Sequence, residues 1–353
     1  MMKVLIVGAG PSGLTAAIEL ARRGITPDII DKKERRSSFS RAVGILPATM
    51  KILEPSGVAE ELERQSVVVK NAKFYNDSKL LSEISIDIFS ANFSKLYALA
   101  QDKTESILSK KFEEYGGCIS YKTELNNLNQ EANQVSVKLN NEVKKYDILI
   151  GADGTKSNVR SLIGVEFQGY ELEEFWSIAD VYTDTSVINT DFRIFFKKDR
   201  KAVIIIPLEK HRLRIISNTE DALQEVPLDL PIKKIKRTGK FKISVRQAEK
   251  YSVGNVYLIG DAAHSHSPVG GRGMNLGIAD AADLANRIIN GGLDEYHVER
   301  YLIGKKIINF TERGRKIAFS QNSLKKALFF FALKLVGKSK LLNTLFVKRL
   351  LTF

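Results

Sequence analysis

The chain has 353 residues, 44% hydrophobic and 27% charged, with a formal net charge of +13 from 54 basic against 41 acidic residues. The length exceeds what one compact core usually holds and predicts two lobes, and the composition is that of an ordinary globular protein. The single Cys118 excludes an internal disulfide and fits a reducing cytoplasm, no 18-residue apolar run predicts a spanning helix, and the apolar stretch Val4 to Val7 is too short for a signal peptide. The basic charge attracts nucleic acid, anionic lipid or anionic small molecules, or is simply a solvated surface.

Lys3 to Val7 reads as a buried strand running into Gly8-Ala9-Gly10-Pro11-Ser12-Gly13, then an alanine-rich helix over Leu14 to Arg23 that stops at Gly24. Thr26 to Ile30 reads as a second strand ending on Asp31. Strand, glycine turn, helix and strand in this order form the context a dinucleotide-binding turn requires. Gly8 permits the tight turn, Gly10 lets backbone approach a pyrophosphate, and Gly13 lets helix pack on strand. Free N–H groups around Ser12 favour phosphate. Asp31, with Lys32 beside it, suits a ribose diol and disfavours a 2′-phosphate.

Tyr97 to Tyr115 predicts a helix. Ile119 to Leu128, Gln134 to Leu139 and Glu142 to Ile150 predict strands, the last entering Gly151-Ala152-Asp153-Gly154. Ser157 or Asn158 is placed to cap a following helix. From Phe175 to Val245 the pattern is β-rich, with strand candidates at Phe192 to Phe196, Ala202 to Pro207 and Leu213 to Ser217. Residues 70 to 92 look similar, and the two pieces are read as one inserted β-sheet domain. Val256 to Ile259 is another buried strand, entering Gly260-Asp261. A helix is expected over Gly273 to Ile289 and a helical tail from Glu295. The expected division is a nucleotide-binding domain at 1–70, 93–170 and 250–295, a sheet domain at 71–92 and 171–249, and a tail at 296–353.

The third motif is Gly260-Asp261-Ala262-Ala263-His264, continuing through Ser267-Pro268-Val269-Gly270-Gly271-Arg272-Gly273-Met274-Asn275. A strand ending in Gly-Asp sets a carboxylate at the crevice beyond a sheet, where a sugar or ribityl hydroxyl binds. The glycine run exposes N–H groups at a helix start, suited to the pyrimidine end of a flavin, which becomes anionic on reduction.

In this order and at these separations, the three motifs resemble the class A, p-hydroxybenzoate hydroxylase-like FAD-dependent monooxygenases, over about residues 1 to 300. The resemblance implies an α/β fold, α+β overall: a Rossmann-type, glutathione-reductase-like FAD domain with an inserted β-sheet substrate domain and C-terminal helices. It implies FAD as cofactor, NADH or NADPH as reductant, and O2 and a small molecule as the other partners. By resemblance Asp31 meets the adenosine ribose, Arg41 the pyrophosphate and ribityl region, and Gln101 the ribityl chain. Asp153 is associated with FAD and the reduced nicotinamide, and Asp261 with the ribityl or pyrophosphate side. Pro268 lies beside the reactive flavin edge. Gly270, Gly271, Met274 and Asn275 are partners of the ring, with Gly260 and Gly273 in the same loops.

The implied cycle delivers hydride to FAD, forms a flavin hydroperoxide with oxygen, and inserts one oxygen atom into an electron-rich aromatic or polycyclic molecule. Pro268, Gly270 and Gly271 are expected to carry it, through backbone rather than a side-chain nucleophile. Phe74, Trp176, Phe192, Ile194, Phe196 and Ile205 are candidate substrate-lining residues, weighed against ordinary core packing. No phenol-activating tyrosine pair is legible, so a simple phenol and a larger polycyclic, quinone-precursor or antibiotic-like molecule both stay open. His264 is read as structural, His211 as a surface hairpin residue, and no cluster has metal-ligand spacing.

Between Asn322 and Phe353 lie Lys325, Lys326, Lys334, Lys338, Lys340, Lys348 and Arg349 and no acidic residue, interleaved with leucine and phenylalanine. That reads as an amphipathic basic helical pair, packed on the FAD domain or resting peripherally on anionic membrane. Two other functions remain open: an FAD reductase or dehydrogenase of an isoprenoid or quinone-type substrate, and a flavin-binding partner of membrane or nucleic acid. No nucleic-acid motif supports the latter. Oligomeric state is not legible.

Overall fold

Val4–Val7 is a short apolar run with no polar face, and all four residues are buried, as expected of a parallel strand covered on both sides. In the computed structural model, which describes residues 2–35, 42–131, 133–183, 190–209, 211–227, 230–268 and 270–352, this strand lies inside a six-stranded sheet. Its order is Ser252–Val253, Val256–Leu258, Ile148–Gly151, Val4–Val7, Asp28–Asp31 and Ile119–Tyr121. All pairs are parallel except the edge hairpin of 252–253 with 256–257.

The helices are α1 (Pro11–Ala21), α2 (Pro47–Leu53), α3 (Val58–Gln65), α4 (Gln101–Glu114), α5 (Asn158–Leu162), α6 (Gly273–Asn290), α7 (Leu293–Ala318), α8 (Ser323–Lys338) and α9 (Lys340–Leu351). The expected mixed α/β architecture is present.

An eight-stranded sheet gathers 71–85 and 167–248 as one unit. Its order is His264–Ser265, Ile232–Ala248, Phe167–Thr183, Arg212–Ser217, Ala202–Glu209, Asp191–Phe196, Asn71–Asn76 and Lys79–Ser85. The two sequence pieces join where Asp191–Phe196 pairs in parallel with Asn71–Asn76. Alternation along the strands creates two different faces. Phe74, Trp176, Ile178, Phe196 and Ile206 point into an apolar cluster with Leu46, Ala98 and residues of the C-terminal helices. Val181, Phe195, Val203, Ile205 and Ile215 point into a separate cluster.

Three sequence expectations are corrected by packing. Leu96–Ala98 is a strand, paired with Gly44–Ile45 and Val67–Val69, so the helix expected from Tyr97 begins at Gln101. The strand expected over Glu142 to Ile150 is two strands. Its charged half, Glu142–Tyr146, joins an exposed antiparallel sheet, and its apolar half, Ile148–Gly151, enters the buried parallel one. Ile205 faces away from the other substrate candidates, because neighbouring strand residues alternate and Ile204 and Ile206 occupy their face.

Candidate active site

The three motifs meet at the C-terminal ends of three parallel strands, where open α/β sheets bind ligands. Gly8 has a φ of +111°, and a Cβ there would lie 2.4 Å from the Ala152 carbonyl oxygen. A Cβ on Gly13 would lie 2.0 Å from the Gly8 carbonyl oxygen. Both glycines are therefore required by contact between the first and second motifs. Ser12 connects the first motif to the third: its Oγ occupies the space a Cβ on Gly260 or Gly277 would need, at 2.4 and 2.3 Å. That close approach seats α1 against α6.

Gly10 differs. Its φ is −81°, and a Cβ would meet nothing within 4 Å. The backbone here faces open space at the start of α1, whose first turn has no acidic residue and no side-chain cap. Those uncapped N–H groups and the helix dipole favour an anion. Asp31, at the end of the second strand, accepts from the Ala9 N–H at 3.0 Å and the Lys33 N–H at 2.9 Å, one on each oxygen. It thus shapes the turn and keeps lone pairs for a diol. Lys32 is exposed beside it. Gln101, at the start of α4, accepts from the Ala42 N–H at 3.2 Å and donates to Glu105 Oε1 at 2.8 Å. Burial pushes the Glu105 carboxyl up to about 7, against the hydrogen bond from Gln101 and the charge of Lys33. Arg41 lies outside the described residues.

Asp153 is turned onto its own segment. It accepts from Ser157 Oγ at 2.5 Å and from the N–H groups of Asn158 and Val159 at 2.7 and 3.1 Å, while Ser157 caps α5 by accepting from the Arg160 N–H. Buried Arg160 then donates to the carbonyls of Thr155 and Ala262, at 2.9 Å each, bolting the second motif to the third.

Gly260 opens a short 3-10 turn in which the Asp261 side chain is exposed. Beneath it Asp280 accepts from the Gly260 N–H at 3.1 Å, from His264 Nε2 at 2.6 Å and from Arg300 Nε at 2.7 Å. Burial would raise the Asp280 carboxyl, but Arg300 and His264 hold it below the usual range. His264 is a supporting residue under the loop. His266 donates from Nδ1 to the Ser267 carbonyl at 2.9 Å, and burial pushes its ring down to about 4, so it is neutral.

Pro268 is exposed and starts a turn closed by the Gly271 N–H on its carbonyl at 2.9 Å. Gly270 and Gly271 have φ of +82° and +62°, and no protein atom lies within 4 Å of a Cβ on Gly271 or Gly273. As at Gly10, this is open glycine backbone leading into an uncapped helix, α6, with no acid in its first turn. Asn275 is fully buried in that turn. It accepts from the Leu46 N–H and Thr49 Oγ and donates to the carbonyls of Gly44 and Gly271, at 2.7–2.9 Å, leaving its amide fully used in holding the loop. Met274 is buried beside it. Arg272 points backwards and donates to the carbonyls of Thr352, Arg349 and Leu350 at 2.9–3.1 Å.

Of the expected substrate-lining residues, Phe74, Trp176 and Phe196 are buried on the sheet face that packs against the C-terminal helices, with Phe192 and Ile194 half-buried. Trp176 meets Phe319 edge-on at 6.0 Å, and Phe196 meets Phe329 and Phe330 at 5.7 and 5.5 Å. At the end of this face nearer Ala42, Asp180 binds Arg212, Arg214 and Arg237 at 2.6–2.9 Å, and Arg214 also donates to the Ala42 carbonyl at 3.3 Å. Burial alone would raise the Asp180 carboxyl; the three guanidinium groups hold it well below the usual carboxylate range. Sequence reasoning missed this cluster and the Asp280–Arg300 pair. The usable signal was Asp180 between Ala179 and Val181 in an apolar strand, matched by arginines alternating with apolar residues at 212 and 214.

A family model described as an FAD binding domain matches residues 1–311. The chain belongs to this FAD-binding family. It is 28% identical over 352 residues to a flavin-dependent monooxygenase of Mycobacteroides abscessus, covering 88% of this chain and 73% of that one. It is 29% identical over 339 residues to the rifampicin monooxygenase of Streptomyces venezuelae, covering 88% and 70%. Among solved structures, p-nitrophenol 4-monooxygenase from Pseudomonas putida shares the fold over 99% of both chains, with a TM-score of 0.90 and 19% identity. The chain is an FAD-dependent enzyme of the monooxygenase kind. The open backbone at Gly10, the uncapped starts of α1 and α6 and the exposed glycine loop fit that cofactor.

Proposed function

We propose that this enzyme uses NADH or NADPH and O2 to hydroxylate a largely apolar aromatic or polycyclic molecule held between the 268–273 loop and the inner face of the eight-stranded sheet. The observation that carries this reading is the open glycine backbone at Gly10 and at Gly271 and Gly273, each leading into an uncapped helix start that favours an anion. Bound FAD supplies the redox and oxygen chemistry. The chain's own residues bind and orient. N–H groups at Gly10 and Ser12 hold the pyrophosphate, and the Asp31 carboxylate holds the ribose. Asp261 would meet the sugar-alcohol side, and the Gly270 N–H would serve the ring, where charge develops on reduction, while the Gly271 N–H is spent on the Pro268 carbonyl and shapes the turn. Pro268 borders the substrate. Asp153, Arg160, Asn275 and Asp280 position these loops and act through them. Phe192 and Ile194, half-buried on the sheet face, border the substrate space, while Phe74, Trp176 and Phe196 form its packed backing. The exposed, unpaired Cys118 fits a reducing cytoplasm.

Turnover with isotopically labelled O2 and a panel of planar aromatic compounds tests this. Expected is one labelled oxygen atom per product, with reduced nicotinamide consumed in step. Turnover that proceeds equally without oxygen would overturn the reading in favour of a reductase.

A further inference from the structure

A helix that packs on a protein through one side usually presents a polar opposite side. α8 does not. Phe329, Phe330, Leu333 and Val336 face the sheet cluster. Leu324, Leu328, Phe331 and Leu335, spaced four, three and four residues apart, form a second apolar stripe roughly opposite the first at about 100° per residue. α9 repeats the arrangement, with Val347 and Leu351 buried in the same cluster and Leu341, Leu342 and Leu345 turned outward. These seven outward residues are 38–70% exposed. Because both helices bury one side in one cluster, their second apolar sides point away from the protein body. No helix among the described residues is long and apolar enough to cross a membrane.

The charges around this surface have one sign. Lys325 and Lys334 flank the α8 stripe about a quarter turn to either side. Lys338, Lys340, Lys348 and Arg349 are also exposed, and residues 322–353 contain no aspartate or glutamate. Among the described residues, none of these lysines forms an ion pair. A second copy of the same surface would set lysines against lysines across a two-fold axis, which disfavours self-association. Apolar side chains ringed by unneutralised lysines match instead a surface that is anionic outside and hydrocarbon beneath.

We infer that the outward faces of α8 and α9 form a docking surface for an anionic lipid bilayer, with the apolar stripe entering the headgroup boundary and the lysines meeting lipid phosphate and carboxylate groups. The helices lie on the bilayer rather than span it. Their inner faces stay on the sheet, so docking leaves the fold of the substrate side intact.

The test uses the full, flavin-loaded chain and sedimentation with vesicles, and it is independent of turnover. One set is phosphatidylcholine alone; the other mixes phosphatidylcholine and phosphatidylserine at roughly three to one. Expected is binding to the mixed vesicles that falls as salt rises and is at least about tenfold weaker on phosphatidylcholine alone. The double variant Leu328→Glu/Phe331→Glu should lose binding while keeping its flavin spectrum and its solution mass. Lys325→Gln and Lys334→Gln should each weaken binding about fivefold. Equal binding to both vesicle types, no binding to either, or a self-associated protein that Leu328→Glu/Phe331→Glu dissociates without changing lipid binding would each overturn the inference.

Discussion

The glycine loops and the eight-stranded sheet work in opposite ways. At the loops, the proposed cofactor site rests on what is missing: no Cβ at Gly10, no cap on α1 or α6 and no acid in either first turn. The sheet is built on what is present: large side chains interlocked with the tail, and a buried carboxylate held by three arginines. The first kind of site tolerates change in its supports poorly but leaves room for a ligand. The second is tightly packed, so its substitutions report on stability before they report on chemistry.

The sharpest way to separate the two is inside one turn. Gly8→Ala drives a Cβ into the Ala152 carbonyl at a positive φ and should cost about 3 kcal/mol or more, read as a lowered denaturation midpoint. Gly10→Val adds atoms only to open space, so it should keep stability within about 1 kcal/mol while abolishing flavin retention. A yellow, FAD-loaded Gly10→Val protein would break the comparison at its strongest point.

On the sheet side, Asp180→Ala leaves Arg212 and Arg214 buried without their central carboxylate and should destabilise by about 3–5 kcal/mol in urea titration. A loss under 1 kcal/mol would mean the arginines find other partners.

Glu105 sharpens the boundary between the regions, since it supports Gln101 next to the nucleotide side. Its carboxyl is raised in the fold, so its contribution is fully present below about pH 4.5 and is lost as pH rises through about 7. Glu105→Gln should flatten stability across that window and raise it at higher pH, on the order of 2–3 kcal/mol. A melting-temperature series against pH checks this, and an unchanged slope would refute it. The smallest effect belongs to Ser157→Ala, which removes the α5 cap for about 1 kcal/mol and should leave flavin binding intact.

This contrast explains which parts of the molecule were legible in its sequence. Gly8, Gly13 and Asp31 announce themselves because backbone geometry accepts few residues there, and the strand–turn–helix order around them is local. Asn275 and Asp153 were legible as motif members but not in their roles. Whether an amide faces a ligand or, as at Asn275, four groups of its own protein depends on segments more than 200 residues away. Ile205 was placed on the wrong face because an unbroken apolar run, Val203 to Ile206, carries no mark of which alternate residues point inward. The tail's basic and apolar content was plain, yet its second apolar side emerged only once Leu333 and Val347 were seen to be buried.

Arg272 adds a matter of timing. It sits inside the glycine loop, yet its carbonyl acceptors are at residues 349, 350 and 352. A growing chain completes the glycine turn at 8–13 almost at once, but it cannot close the clasp on the second loop until some 75 further residues have left the ribosome. The first glycine turn is thus set by neighbours in sequence, whereas the second loop waits for a distant helix to arrive before Arg272 can be seated.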